Sequence, residues 1–337
     1  RQPFEKKIEA LCDNHSKLFT IQESQPPSGS KQSDLFDKGD TPTLSRRHFK
    51  RSTPLKPSYQ VSSFSSLTSY MKEDPDMPDY DQFLGDEQFI EPETTDRQER
   101  NIFTFPKGPQ PGTCIHHIFE EIDFRDPHSD ENLITEQLSR YGIDEEWKDV
   151  AKQMLDTVLG ALIHPNNENL KLQALGQDDL VPELEFYYQT ADISSSQLLS
   201  IIRDDHEDDG AQPGQAASGF LKGFIDLTFR FEGKFYLLDY KTNYMGDTVG
   251  DYRNELLFEE MREASYDLQY HIYTIALHRF LKERLSGYAY EEYFGGAFYL
   301  FLRGMNREGR EGIFFDRPDF STIQQLDEYI LSGGNHE

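Results

Sequence analysis

Residues 223–243, GFIDLTFRFEGKFYLLDYKTN, are the part of this 337-residue chain that leaves the fewest options for its fold. Two runs rich in Phe, Leu, Ile and Tyr flank Glu232-Gly233, and such a pair between apolar runs specifies a two-residue hairpin turn. Pairing Phe231 with Lys234 then fixes the register and sets Asp226 directly across from Asp239. Lys241, two residues on, shares the face of Asp239 because strand side chains alternate with period two. The opposite face carries Leu221, Ile225, Leu227 and Phe229, with Tyr236 and Leu238 across from them, and is predicted to be core.

Facing carboxylates repel and weaken a strand pair. A divalent cation with oxygen ligands relieves that repulsion. Mg²⁺ suits the arrangement because it takes one or two carboxylates, keeps several waters and accepts phosphate oxygens. A neighbouring lysine can orient or deprotonate a metal-bound water, or steady charge in the transition state. Two acids, a metal and a lysine point to phosphodiester hydrolysis. Taken alone, the hairpin also admits a plain surface patch in which Lys241 pairs with Asp239.

Elsewhere the chain is polar, with 36% hydrophobic and 28% charged residues and a net charge of -27. An average that acidic argues against phosphate binding, yet it hides local changes of sign. No acid occurs from Thr41 to Lys72, where Arg46, Arg47, Lys50, Arg51, Lys56 and Lys72 are basic. Acids dominate from Glu73 to Asp96 and again from Asp204 to Asp209. These read as solvated loops; the second run lacks the spacing and central glycine of a calcium-binding EF-hand. Cys12 and Cys114 are too few and too far apart for a disulfide framework or a zinc site. With no apolar run of membrane-spanning length and no signal peptide, the expectation is a cytoplasmic protein without a membrane partner. The chain opens on Arg1 rather than Met, as a piece of a longer protein would.

Residues 5–22 fit a short helix, and SQPPSGSKQSDLFDKGDTPT after them has linker composition. Residues 1–57 are accordingly expected to be a largely disordered tether, and 58–337 the folded domain. In YQVSSFSSLTSYM, Val61, Phe64, Leu67 and Tyr70 recur at helical spacing. Helices are also predicted over 112–124, 145–164, 194–204, 266–285 and 321–331, with strands at VPELEFYYQ, at the two hairpin arms and at FGGAFYLFLRG. Strands interleaved with helices specify an α/β fold with a sheet covered on both faces. The chain has no GxxxxGK[ST] phosphate loop, so no conventional ATPase motor lies within it.

Five separated stretches carry a resemblance. GFID and LDYK resemble the GxxD and DxK elements of the PD-(D/E)xK nuclease superfamily. The hairpin, YDLQYHIYTIALHRFL and FGGAFYLFLRG are similar to the nuclease domains of its RecB-type branch. GTCIHHIFEEIDF resembles that branch's GTxxH helix, and VSSFSSL its entry segment. The resemblance implies a restriction-endonuclease-like core, a mixed central sheet with a catalytic β-hairpin flanked by helices. It implies Mg²⁺ held by His116, Asp226, Asp239 and the backbone carbonyl of Tyr240, with Lys241 as the catalytic lysine. The spacing from Gly112 and Thr113 favours His116 over His117, which points about 100° away around a helix; without the resemblance, a histidine on an amphipathic helix is more often structural.

The QxxxY element of the branch falls on Gln269 and Tyr273, one turn apart on one helix face, and implies a supporting or DNA-contacting role. By pattern alone Tyr273 is equally a core aromatic with Gln269 beside it. Glu185 in PELEF stands where the family has an acid, as a supporting group or a further metal ligand. The wider function implied is cleavage of DNA strands leaving a helicase at double-strand ends, with recombinational repair. The motor would lie upstream of Arg1, and RecC- and RecD-like subunits would be the partners. Two other readings share the pattern: a catalytically silent module that binds DNA or subunits, and a stand-alone nuclease acting on RNA or branched DNA.

Overall fold

The Glu232-Gly233 turn forms as its sequence requires. Both residues have positive φ, 48° and 79°, the type I′ geometry whose twist matches that of the flanking strands. The computed structural model describes residues 60–63, 67, 99–130, 132–203 and 216–333. The expected helix at 5–22, the tether at 1–57 and both acidic runs lie outside the described residues.

In chain order the principal elements are β1 (Gln60–Ser63), α1 (Pro109–Glu121), α2 (Leu133–Arg140), α3 (Lys148–Gly160) and β2 (Leu180–Ser194). There follow α4 (Ser195–Arg203), β3 (Ala216–Phe231), β4 (Lys234–Lys241), α5 (Asn254–Glu263) and α6 (Tyr266–Arg284). The short α7 (Tyr290–Tyr293), β5 (Phe294–Phe301), β6 (Ile313–Asp316) and α8 (Phe320–Ser332) complete the set. The six strands make one mixed sheet in the order β1-β3-β4-β5-β6, with β2 also on β3. This is the α/β, restriction-endonuclease-like architecture expected.

Strand β3 organises the sheet. One of its edges runs antiparallel to β2 from Leu180–Phe229 to Ser194–Ala216. Its other edge is shared: β1 pairs in parallel with Gly219–Lys222, and β4 pairs antiparallel with Leu227–Phe231. Between those two ladders the edge of β3 has no strand partner among the described residues, and Asp226 lies in that interval.

Two apolar layers cover the sheet. Helices α1, α2 and α3 close one face over Leu227, Phe229, Tyr236, Leu238, Tyr240, Phe298 and Leu300. Helices α4, α5, α6 and α8 close the other over Leu221, Ile225, Leu237, Ala297, Tyr299 and Phe301. Burial against a layer of this kind contributes about 25 cal/mol per Å² of apolar surface removed from water, which is what holds the polar site in place. Helix α6 is buried around most of its circumference, from Tyr266 through His278. Its polar Asp267, Gln269 and His271 therefore require partners inside the protein.

Several expectations are corrected. Residues 60–63 form strand β1, not the start of a helix; Val61 and its neighbours pair with β3, which the helical spacing of Val61, Phe64, Leu67 and Tyr70 concealed. Helix α3 begins at Lys148 after a 3-10 turn at Glu145–Trp147 and stops at Gly160, short of Pro165. FGGAFYLFLRG is a strand only to Phe301, and Leu302–Gly304 coil into a 3-10 turn. The apolar face of β3 is divided: Leu227 and Phe229 pack with α1–α3, whereas Leu221 and Ile225 pack with α6. The change falls at Asp226, opposite Glu183 of β2, whose backbone is left-handed at φ 48°. A non-glycine residue there reverses the pleat locally. Sequence patterning did not mark α2, α5 or β6; α5 buries only Leu257 and Met261, too few apolar positions to show a stripe.

Candidate active site

The register predicted for the hairpin holds from Phe231–Lys234 to Leu227–Leu238 and ends there, one pair before Asp226 and Asp239. In a type I′ hairpin the closing pair exchanges both backbone hydrogen bonds, and every second pair after it does the same. Tyr236, Leu238 and Tyr240 therefore turn both their N–H and C=O toward β3. At Tyr240 the opposing backbone has parted, and the N–H donates instead to Oδ2 of Asp226 at 2.8 Å. A side-chain carboxylate replaces a ladder bond, and the Tyr240 carbonyl leaves β4 on the same side.

Helix α1 brings the imidazole. Its Phe119 stacks on the ring of Tyr240 at 4.3 Å, and His116 Nδ1 lies 3.3 Å from Oδ2 of Asp226. Close approach of α1 to the end of β4 depends on Gly112: a Cβ there would stand 3.0 Å from Thr242 Oγ1, tighter than nearly all ordinary contacts. His116, four residues further on, lies on the same helix face. His117 turns away and bonds the Tyr141 hydroxyl at 2.6 Å. The buried Arg303 fastens the approach to α1, donating to the carbonyls of Ile102, Phe105 and Pro106 and, through Nε, to Thr242.

On the other side of β4, Lys241 Nζ is 2.7 Å from Asp239 Oδ1, with both side chains almost wholly buried. Nζ also donates to Gln269 Oε1 at 3.1 Å and lies 4.0 Å from the centre of the Tyr266 ring. Gln269 Nε2 donates to the Tyr273 hydroxyl at 3.0 Å, so the i, i+4 pair on α6 is one connected unit. Each carboxylate thus has its own nitrogen partner: the His116 imidazole for Asp226, the Lys241 ammonium for Asp239.

The titration of the first pair follows. Burial pushes the His116 imidazole down, but the charge and hydrogen bond of Asp226 outweigh it and the pKa is raised. Burial pushes Asp226 up, and His116, Lys241 and the Tyr240 N–H together outweigh it, so the carboxyl is held below its ordinary range. By contrast Cys114, also on α1, has its thiol pushed up to about 12 by burial and is an inert core residue.

Asp226 with His116 and the Tyr240 backbone beside it, and Asp239 one residue before Tyr240 on β4, include oxygen donors of the kind a hard divalent cation takes. Among the described residues no three His, Cys, Asp or Glu side chains stand together as a ready-made cage. Mg²⁺ fits that limit, since it holds to one or two carboxylates and fills its remaining positions with water and substrate phosphate. Of the residues singled out in the sequence, His116, Asp226 and Tyr240 are in contact, and Asp239, Lys241, Gln269 and Tyr273 form a connected set one residue along β4. Glu185 does not join them. It is more than half exposed and pairs with Lys222 at 2.9 Å.

Residues 94–332 match the PD-(D/E)XK nuclease superfamily. The chain belongs to that superfamily. Its similarity within the PD-(D/E)XK nucleases is to RecB. It is 40% identical over 229 residues to the RecBCD enzyme subunit RecB of Escherichia coli (strain K12), covering 66% of this chain and 19% of that protein. To RecB of Haemophilus influenzae it is 37% identical over 231 residues, covering 68% and 19%. To RecB of Buchnera aphidicola subsp. Schizaphis graminum it is 32% identical over 284 residues, covering 81% and 23%. The chain thus spans about a fifth of the length of these relatives.

Three residues around this candidate site carried no sequence signal of their own. Tyr266 and Tyr299 read as core aromatics, although their rings flank the Lys241 ammonium at 4.0 and 5.3 Å. Arg303 closes what reads as an apolar strand. Only its burial, at 2% exposure without a carboxylate partner among the described contacts, marks it.

Proposed function

We propose that the chain is the Mg²⁺-dependent DNA nuclease domain of a RecBCD-type helicase–nuclease. It would hydrolyse phosphodiester bonds during double-strand-break end processing and recombinational repair, in the cytoplasm, with RecC- and RecD-like subunits as partners. The observation that carries the reading is the parting of β3 from β4 at Asp226, whose carboxylate takes the Tyr240 N–H, with the Asp239–Lys241 pair next to Tyr240 on β4. Similarity to RecB supports DNA as the substrate. No helix among the described residues is long and apolar enough to cross a membrane.

Mg²⁺ would be held by Asp226, Asp239, His116 and the Tyr240 carbonyl, and supplies Lewis-acid polarisation of the phosphate and an activated water. The chain's own residues do the rest. Asp226 is oriented by the Tyr240 N–H and His116, so its carboxylate is fixed before substrate arrives. Lys241, held by Asp239 and Gln269, presents its N–H groups to the oxygens on which charge accumulates. The net charge of -27 does not prevent this, because a strand fed by a motor needs little affinity from the domain itself.

The test is cleavage of linear single- and double-stranded DNA by the purified chain in Mg²⁺, Ca²⁺ or EDTA, alongside Lys241→Met. Mg²⁺-dependent cleavage that the substitution abolishes is the expected result. Undiminished cleavage by folded Lys241→Met would sink the assignment of the site. DNA binding without cleavage would favour a silent module.

A further inference from the structure

The geometry points to Tyr299 as a positioning residue for Lys241, acting through the carboxamide of Gln269. The inference rests on the reading of Lys241 as the catalytic lysine. A lysine side chain carries about 2 kcal/mol of rotamer entropy, so its ammonium is placed only as well as its partners place it. Here the partners are Asp239 at 2.7 Å, Gln269 Oε1 at 3.1 Å and the flanking faces of Tyr266 and Tyr299.

Gln269 can serve Lys241 in one orientation. An ammonium has donors and no acceptor, so the carboxamide must show it oxygen and turn its NH₂ elsewhere. The structure meets both needs. The Tyr299 hydroxyl donates to Gln269 Oε1 at 2.8 Å, and Gln269 Nε2 donates to the Tyr273 hydroxyl at 3.0 Å. Tyr299 thus shares the oxygen that Lys241 uses.

The position of Tyr299 in the sheet suits this role. It is the partner of Asp239 in the parallel β4–β5 register, so Asp239 and Tyr299 stand side by side on the α6 face of two central strands. Its side chain is fully buried. A purely packing role uses the ring; the hydroxyl, costly to bury unbonded, is spent on Gln269. Removing it takes away the donor that holds Oε1 from the β5 side and loosens the carboxamide, which keeps its bonds to Lys241 and Tyr273, and a displacement of about 1 Å in a catalytic group costs about 100-fold in rate.

Tyr299→Phe tests this in the full chain, by steady-state kinetics on linear DNA with Mg²⁺. The expected result is a fall in kcat of about tenfold or more at unchanged KM. Gln269→Ala combined with Tyr299→Phe should be no slower than Gln269→Ala alone, as for two residues acting in series. Wild-type kcat in Tyr299→Phe, or multiplicative losses in the double variant, overturns the proposal. Loss of activity in Lys241→Met alongside either result leaves the nuclease reading standing; activity retained in Lys241→Met defeats that reading instead. A readout independent of turnover is the Gln269 side-chain amide in ¹⁵N-glutamine-labelled protein. It should give one exchange-protected NH₂ signal in the parent and a broadened or exchanging one in Tyr299→Phe; an unchanged signal also overturns the proposal. Should Tyr299→Phe fail to fold, Gln269→Leu removes the bridge itself, and an unaltered kcat there has the same consequence.

Discussion

Replacing Lys241 or Asp239 by alanine should destabilise the domain as well as silence it. The two charges are 2.7 Å apart, with side-chain exposures of 7% and 4%. At an effective dielectric constant of about 20, attraction at that distance is roughly 6 kcal/mol, most of which offsets the cost of desolvating the pair. The pair therefore adds little net stability, whereas deleting one partner strands the other as a buried charge at a cost of about 3–5 kcal/mol. Against a total stability of about 5–15 kcal/mol that loss is large. At about 2–4 °C per kcal/mol for a domain of this size, it lowers Tm by roughly 6–20 °C. Urea unfolding of Lys241→Met, Asp239→Leu and the double variant measures it. Both single variants should lose several kcal/mol, and the double variant should recover most of the loss while remaining inactive. Single variants within about 0.5 kcal/mol of the parent would refute the argument, and would mean that water reaches the pair. Inactivity of an alanine variant is evidence for catalysis only once its folding has been measured.

Gly112→Ala places a Cβ 3.0 Å from Thr242 Oγ1 and should push α1, and His116 with it, off the end of β4; cleavage should fall several-fold, and Thr242→Ala should restore it in the double variant. Arg303→Met strands the carbonyls of Ile102, Phe105, Pro106 and Thr242, and at about 1–3 kcal/mol for each group left unsatisfied it should cost about 4 kcal/mol or more by the same urea assay. His271 is neutral inside α6, its pKa lowered chiefly by burial, with Nδ1 donating to the Asp267 carbonyl at 2.6 Å. Below about pH 6.5 the unfolded chain binds a proton that the folded one refuses, so this contribution is lost as the pH falls through that value. The acid limb of stability should flatten in His271→Asn. Cys114, with its thiol near 12, should resist iodoacetamide in the native protein and react on unfolding, as mass spectrometry of its peptide would show.

The hairpin was legible because its turn chemistry and its period of two are local properties. Glu232-Gly233 fixed the turn, and the turn fixed the register as far as Leu227–Leu238, one pair short of the expected Asp226–Asp239 facing pair. His116 and the Gln269–Tyr273 pair needed the family resemblance, since a histidine or tyrosine on an apolar helix face has an ordinary packing role. Tyr299 was hidden for a sharper reason. FGGAFYLF is apolar on both faces, as a central parallel strand must be, so nothing distinguishes the tyrosine whose hydroxyl bonds Gln269 from the phenylalanines beside it. Strand β1 was lost to a coincidence of spacing, and its partner Gly219–Lys222 lies far along the chain, beyond any local pattern.

What the register could not convey is where the ladder stops. Had β3 and β4 stayed paired through Asp226, the Tyr240 N–H and C=O would have been consumed by the backbone opposite, and the site would have been an acidic stripe on a closed sheet. By reversing its pleat at Asp226, with Glu183 left-handed across from it, β3 keeps β2 on one edge and exchanges β4 for β1 on the other. The gap therefore opens inside the sheet and not at its rim, with paired strands on either side of it. Helix α1 delivers His116 to one face of the gap and α6 delivers Gln269 to the other. Asp226 thus sits between paired strands while the Tyr240 N–H, released from the ladder, orients its carboxylate.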